Sequence, residues 1–530
     1  MTVGKLYPLD IVEVLPGDTF YGKTACVSRV TSSFIRPVMD NLFMDIYHFY
    51  VPLRILSTNA TNIFGNPNPT SYTAARGGTS PAPYFQSSIT IVPGSVGDYL
   101  GLPIGTLQPG ISALPFRAFA KIWNCWFRNE NIDAETYVKT TLGPILSTDS
   151  ENPNGSSWSA TNYTGMLPDV CKIKDIFTSC LPAPQKGLAV SALLSGMAPV
   201  KTASAPTYTP SSPAGLKWFG FGSGTTPISS PGNLVLGTAG TTGYISGSQG
   251  TVADNLAPAN LYADLSSAAG FSINDLRFAF QLQRVLERDA RCGSRYNEIM
   301  RAVYGVNFPD GRAQIPEYIG GGRIPIGIQQ VAQTSASPST PTLDDNLGQV
   351  AGASLSNGFS KCRVAVPEHG YVITVGCIRH IHSYAEGTQK LWRRTVREDF
   401  YDPAYAHLGE QPVLVDRLMS TAGGALTTVF GYQEYGAEYR YLENRVTGQM
   451  RPKVTNSFKI YAFTDTYSSA PTLSSSFIHE TYGFVDDTLA VKHGTGAGAL
   501  NIDQFLADLY FDDEAIRVMP LYSTPGYIDH

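Results

Sequence analysis

The chain has 530 residues, a formal net charge of -5 and only 15% charged residues, while glycine (51), proline (36) and aromatics (11%) are plentiful. Ordinary soluble domains carry about 25% charged residues, so this profile suits a loop-rich β protein that hides surface in an assembly. The acidic balance excludes a global electrostatic case for nucleic-acid binding and leaves only a local basic patch.

From the N-terminus, MTVGKLYPLDIVEVLPG lacks the continuous apolar core of a signal peptide, and no apolar run in the chain reaches the roughly 18 residues of a membrane span. Leu6–Val30 reads as strand, Pro16-Gly17 turn, strand, in the manner of an antiparallel sheet. Leu42–Val51 (LFMDIYHFYV) is apolar on both faces, as a strand inside a core should be. His48 within it has no second histidine nearby and reads as a satisfied core residue. Asn59–Ile111, rich in Gly, Pro, Thr and Ser, reads as a long ordered loop.

Leu114–Ile132 predicts a helix opened by Pro115. Phe116, Phe119, Ile122, Trp123, Trp126 and Phe127 form its apolar stripe, flanked by Arg117, Lys121 and Arg128. Aromatics interleaved with cations can stack on single-stranded bases, but a stripe at helical spacing reads first as core. Leu188–Ala263 contains just three charged residues, Lys201, Lys217 and Asp254. Clusters such as Leu234-Val235-Leu236 and Tyr244-Ile245 argue against a plain linker and for an exposed insertion with small β structure of its own. Surface insertions of this kind carry recognition.

Ser272–Ile326 is the passage most clearly helical. Ser272 with Asp275 makes a capping-box start, and Gly293 supplies a left-handed stop. Tyr296–Tyr304 repeats the pattern and ends at Gly305. Leu276, Ala279, Phe280 and Leu286, widened by Phe278, Leu282 and Val285, give one amphipathic face, which predicts packing on a larger β body. Gly320, Gly321 and Gly322 read as a tight turn.

Pro338–Phe359 reads as a loop and Tyr371–Ile381 as a strand rich in β-branched residues. His380 and His382 have a spacing that would hold a metal. No matching carboxylate or cysteine pattern follows them, so they read as polar positions on a solvated face. LWRRTVREDF, Leu391–Phe400, concentrates charge in a chain otherwise poor in it. Trp392, Arg393, Arg394 and Arg397 form the candidate DNA contact, with cations for phosphates and an indole to stack on a base. The competing reading pairs those arginines with Glu398 and Asp399. Thr427–Gln433, Ala437–Leu442 and Ser457–Phe463 read as further sheet segments, and PLYSTPGYIDH as an extended tail.

Catalytic signatures are absent: there is no Walker loop, GxSxG elbow, HExxH or dinucleotide fingerprint. The seven cysteines (Cys26, Cys125, Cys171, Cys180, Cys292, Cys362, Cys377) show no CxxC pairing, so they read as free thiols. No catalytic, cofactor or metal residues are assigned.

EVLPGDTF (Glu13–Phe20), PVMDNLFMDIYHFYVP (Pro37–Pro52), LPFRAFAKIWNCWFRNENI, FTSCLPAPQKG (Phe177–Gly187), FQLQRVLERDARCGSRYNEIMRAVYGV (Phe280–Val306), PEYIGGG (Pro316–Gly322), VAQTS (Val331–Ser335), EHGYVI (Glu368–Ile373), AHLGEQ (Ala406–Gln411), FGYQEYGAEYRY (Phe430–Tyr441) and YSTPGYIDH lie in this order. Together they resemble the major capsid proteins of the Microviridae, above all the gokushovirus branch of small single-stranded DNA phages. The resemblance covers nearly the whole chain. It implies an all-β dominated fold, an eight-stranded viral jelly-roll β-sandwich with long loop insertions and a few short helices. It also implies five-fold capsomers (pentamers) closing into a T=1 icosahedral shell around a circular single-stranded DNA genome.

On this reading residues 1–187 form the N-terminal part of the jelly roll, with an aromatic helix near 115–130. Residues 188–263 form a protrusion that contacts a host surface receptor, and 264–530 supply the helical patch and the rest of the jelly roll. The resemblance further implies a small basic DNA-binding virion protein, scaffolding and pilot proteins, a virion location, assembly in the bacterial cytoplasm and no membrane insertion. The rival from another class is a carbohydrate-binding or glycoside-cleaving β-sandwich. It requires two facing carboxylates, for which Glu368 and Asp399 are the best pair.

Overall fold

The computed structural model describes the chain outside residues 58–81, 137–143, 146–157, 160–161, 189, 191–199, 203–217, 222–233, 240–241, 248–254, 259–260, 264–272, 294–295, 306–313, 333–349, 421–426, 494–498, 501, 518 and 520–530. Eight strands make the main body: β1 (Tyr7–Val14), β2 (Thr19–Val30), β3 (Leu42–Pro52), β4 (Glu317–Pro325), β5 (Ile328–Ala332), β6 (Val350–Ala365), β7 (Gly370–His380) and β8 (Phe505–Ile516). They pair in the order β1-β7-β3-β4-β6-β2-β8, with β5 also on β6. Although the turn at Pro16-Gly17 joins β1 to β2, the two do not pair; β1 lies antiparallel to β7, and β2 between β6 and β8.

The sheet curls where β4 meets β6 through a single pair, Gly320 with Cys362. That leaves two halves, β1-β7-β3-β4 and β5-β6-β2-β8, whose inner faces share cores. One cluster joins Phe20, Cys362 and Val364 to Val14, Tyr50 and Val372; elsewhere Cys26 Sγ lies 3.3 Å from Met44 Sδ. This is the eight-stranded jelly-roll sandwich. His48 binds its two ring nitrogens to Thr374 Oγ1 on β7 (2.8 Å) and Ser360 Oγ on β6 (2.7 Å), bridging the halves. Burial lowers its pKa to about 4, so it sits neutral in the core.

The glycine triplet is a strand, contrary to the turn reading. Gly320 pairs with both His48 and Cys362, and its neighbours pair with Tyr47 and Ile46. A Cβ at Gly321 would meet the Ile46 carbonyl oxygen at 2.5 Å. Backbone approaches this close admit only glycine.

β3 and β7 are buried on nearly every residue, which demands a cover on the second face. Helix α1 (Leu114–Ile122), packed on β7, supplies part of it. Phe116, Phe119, Ile122 and Trp123 are buried, as a core stripe should be. Arg117 is buried too, donating to the Leu56 carbonyl at 3.3 Å, and is not a surface flank. The helix loosens into a π-turn, Trp123–Phe127, and Trp126 donates to the Pro316 carbonyl at 2.9 Å.

Other expectations change. Val350–Phe359, read as loop, is the first part of β6; the rest of that loop up to residue 349 lies outside the described residues. Ala437–Arg440 is a helical turn and Lys459–Tyr461 a 3-10 turn, where sheet was expected; Val429–Glu434 is a strand, paired with Glu410–Leu414. The closing PLYSTPGYIDH segment lies outside the described residues.

The chain forms two compact units, Met1–Pro184 with Asp289–His530, and Gln185–Arg288. Within the second unit three antiparallel pairs form: Val200–Thr202 with Leu261–Ala263, Trp218–Phe221 with Asn255–Pro258, and Leu234–Ala239 with Thr242–Gly247. Helices α2 (Ile273–Cys292) and α3 (Tyr296–Tyr304) match the sequence bounds, and Gly293 and Gly305 have the positive φ of helix stops. Ser272, the expected cap, lies outside the described residues. In α2 Ala290 is buried, while Phe278 and Phe280 are 70% and 65% exposed. Among the described residues no helix is long and apolar enough to cross a membrane.

Candidate functional site

Strand alternation sends every second residue of β6, β2 and β8 outward. Register then aligns them in rows: Leu355, Arg29 and Leu506; Asn357, Val27 and Asp508; Phe359, Ala25 and Tyr510; Lys361, Lys23 and Asp512; Arg363, Tyr21 and Glu514. Leu355, Phe359 and Tyr510 are each more than 60% exposed. A sheet face with large apolar side chains in open water marks an interaction surface. Its charges are segregated, with Lys361, Arg363, Lys23 and Arg29 on β6 and β2 against Asp508, Asp512 and Glu514 on β8.

The arginine segment is built differently from its sequence reading. Lys390–Arg393 is a 3-10 turn that leaves Trp392 73% exposed. Arg393 forms a two-point pair with Asp416 (2.8 and 2.7 Å). Arg394 lies 3.4 Å from Glu438 and over the Tyr439 ring at 4.7 Å. Lys390 joins the same Glu438 at 2.9 Å. Asp399 instead caps its own turn, accepting from the Thr395 and Val396 amides at 2.8 and 3.0 Å. Two of the arginines are thus paired within the chain, but with Asp416 and Glu438 and not with Glu398 and Asp399. Trp392, Arg393 and Arg397 are exposed and Arg394 is half-buried.

Glu368 and Asp399 do not form a catalytic pair. Glu368 makes a fork with Arg54 (3.0 and 2.9 Å) in the turn between β6 and β7, and shares no partner with Asp399.

His380 and His382 are buried, against the solvated reading. β7 ends at His380, and the strand pairing of Ser383–Tyr384 with Thr464–Asp465 brings Asp465 beside them. His382 Nδ1 lies 2.6 Å from Asp465 Oδ1 and its Nε2 3.2 Å from Glu480 Oε2. His380 Nδ1 is 3.2 Å from Glu480 Oε1, and Lys172 Nζ 3.1 Å from Asp465 Oδ2. Burial opposes charge on His382, but the two carboxylates outweigh it and raise its pKa to about 9. Burial pushes Asp465 up, and His382 and Lys172 overcome it to hold the carboxyl at about 2. The carboxylates stand 83 and 98 residues beyond His382, so no spacing motif could reveal them.

A second group is Asp133, Cys171 and His479, of which Asp133 and His479 line a cavity of about 400 Å³ together with Trp123 and Trp158. His479 Nε2 is 3.1 Å from Asp133 Oδ2. Burial pushes the Cys171 thiol up to about 12, so it stays protonated.

A jelly-roll sandwich with an open apolar sheet face, whose carboxylates are spent on holding loops, defines a structural protein of the viral shell type. A family model described as Capsid protein (F protein) matches residues 1–527, and the chain belongs to that family. It is 34% identical over 528 residues to capsid protein VP1 of Spiroplasma virus 4, covering 99% of this chain and 92% of the relative. Capsid protein VP1 of Chlamydia phage 1 is 32% identical over 579 residues, and that of Bdellovibrio phage phiMH2K 32% over 540, each covering 98% of this chain and 92% of the relative. The chain is a major capsid protein of the virion, structural and not enzymatic, which self-assembles into a shell.

Proposed function

We propose that the shell is built from pentamers, and that the outer face of β6-β2-β8 is a contact between copies of this chain. The observation that carries this is the exposure of Leu355, Phe359 and Tyr510 on one sheet face, with basic residues on β6 and β2 and acidic ones on β8. The mixed charge disfavours a polyanion and suits a second copy meeting the face in a rotated, heterologous way, the contact type that closes rings. The pentamers close into an icosahedral shell around circular single-stranded DNA. Because the chain is acidic, a small basic virion protein neutralises the genome, and scaffolding and pilot proteins assist assembly in the host cytoplasm. The insertion 188–263 is the protrusion that meets the host surface. Trp392 and Arg397 supply a local DNA contact.

The test replaces Phe359 by Glu, alone and with Tyr510→Glu. The variants should stay folded by circular dichroism, because both side chains are exposed, yet lose pentamers in light scattering. Wild-type yields of particles from the double variant would rule the face out.

A further inference from the structure

We propose that His380, His382 and Asp465, with Glu480 as fourth donor, bind one divalent transition-metal ion of the zinc type. The donor atoms of the first three lie within 4.8 Å of one another and all three residues are buried. Glu480 is 3.2 Å from a nitrogen of each histidine. Four donors about 2.0–2.1 Å from a zinc ion stand about 3.3 Å apart, a separation that Glu480 already has from His380. Asp465 and Glu480 meet opposite ring nitrogens of His382, so the ion takes one of those nitrogens and draws the other carboxylate round to it. Two imidazoles with two carboxylates are a donor set that suits this class of ion.

A second observation points the same way. His380 is fully buried, and neither of its ring nitrogens makes a hydrogen bond among the described residues; its approach to Glu480 is close but misaligned. A buried polar group without a hydrogen-bond partner destabilises the fold. Coordination through one of those nitrogens removes that cost. Charge gives a further reason. Asp465 and Glu480 are both buried carboxylates, and Lys172 reaches only Asp465. A cation among the histidines completes the neutralisation. The competing carrier of that charge is a proton on His382. The ion would hold three segments together: the end of β7, the strand Thr464–Asp465, and Glu480, which follows the helical turn Ser475–Ile478. None of these residues belongs to the proposed contact face, so the two ideas stand or fall separately.

The experiment expresses the untagged full chain in zinc-supplemented medium and counts metal by plasma mass spectrometry. About one zinc per chain is expected, surviving dialysis and falling at least tenfold in His380→Gln, while Asp133→Asn, in the other ligand-like group, keeps it. Cobalt-grown protein should show tetrahedral visible bands without a thiolate charge-transfer band. That spectrum decides the matter on the wild-type chain even where His380→Gln does not fold. Less than about a tenth of an ion per chain would overturn the proposal and leave the proton as the carrier. Equal metal in His380→Gln, or a thiolate band assigning the ion to Cys171, would overturn it as well.

Discussion

The carbonyl oxygen of Lys361 lies where a side chain on Gly320 would begin: a Cβ there would sit 2.3 Å away, and 2.9 Å from the Cys362 Cα. Both obstacles are backbone, so neither can swing aside. This is the one pair by which β4 joins the two halves of the sandwich. Gly320→Ala should therefore cost roughly 2–4 kcal/mol and remove most soluble protein, measured by urea denaturation and particle yield. Gly448→Ala, with nothing within 4 Å of the new Cβ, is a control that meets backbone strain alone and should cost about 1 kcal/mol.

His48 gives the chain a pH dependence of definite sign. Its folded pKa of about 4 lies below the ordinary 6.5, so the unfolded chain binds the proton first as pH falls. Its contribution is complete above about pH 6.5 and is lost progressively down to about pH 4, up to about 3 kcal/mol in all. Denaturation midpoints of wild type and His48→Gln should diverge at neutral pH and converge near pH 4. A constant difference across that window would contradict the burial account.

What the sequence could show follows from the range of its signals. β3 and β7 were legible because their apolar residues crowd both faces, and α2 because its start, stripe and stop are all local. The first half of β6 was not, since ASLSNGFS has the composition of a loop. Its serines earn their strand by tertiary bonds: Ser354 accepts from the Val30 amide at 3.0 Å, Ser356 from the Gly327 amide at 2.8 Å, and Ser360 meets His48. The glycine triplet misled for the same reason, because its partners on β3 lie some 270 residues away in the chain. Of the four residues read as a DNA contact, sequence alone could not tell that Arg393 and Arg394 belong to Asp416 and Glu438. The family, by contrast, was legible from collinear segments spread over the whole chain.

That division of the arginines makes a prediction. Arg397→Ala should weaken binding of a single-stranded oligonucleotide to pentamers and lower the salt slope by about one, and Trp392→Ala should cost about 1–3 kcal/mol through lost stacking. Arg393→Ala should leave the salt slope alone and lower the thermal midpoint, because it strips the partner from a buried Asp416. Filter binding at several salt concentrations separates these outcomes; a slope that falls in Arg393→Ala and not in Arg397→Ala would reverse the assignment.

The most direct test of the central claim, assembly through pentamers, is the mass of the purified chain by light scattering, with electron micrographs of the same fraction. It should be made on protein expressed alone and beside the other phage proteins. Five copies of a 57.2 kDa chain give a species near 286 kDa when expressed alone, which becomes uniform closed shells in the complete phage background. A stable monomer of 57.2 kDa in both settings would contradict the account.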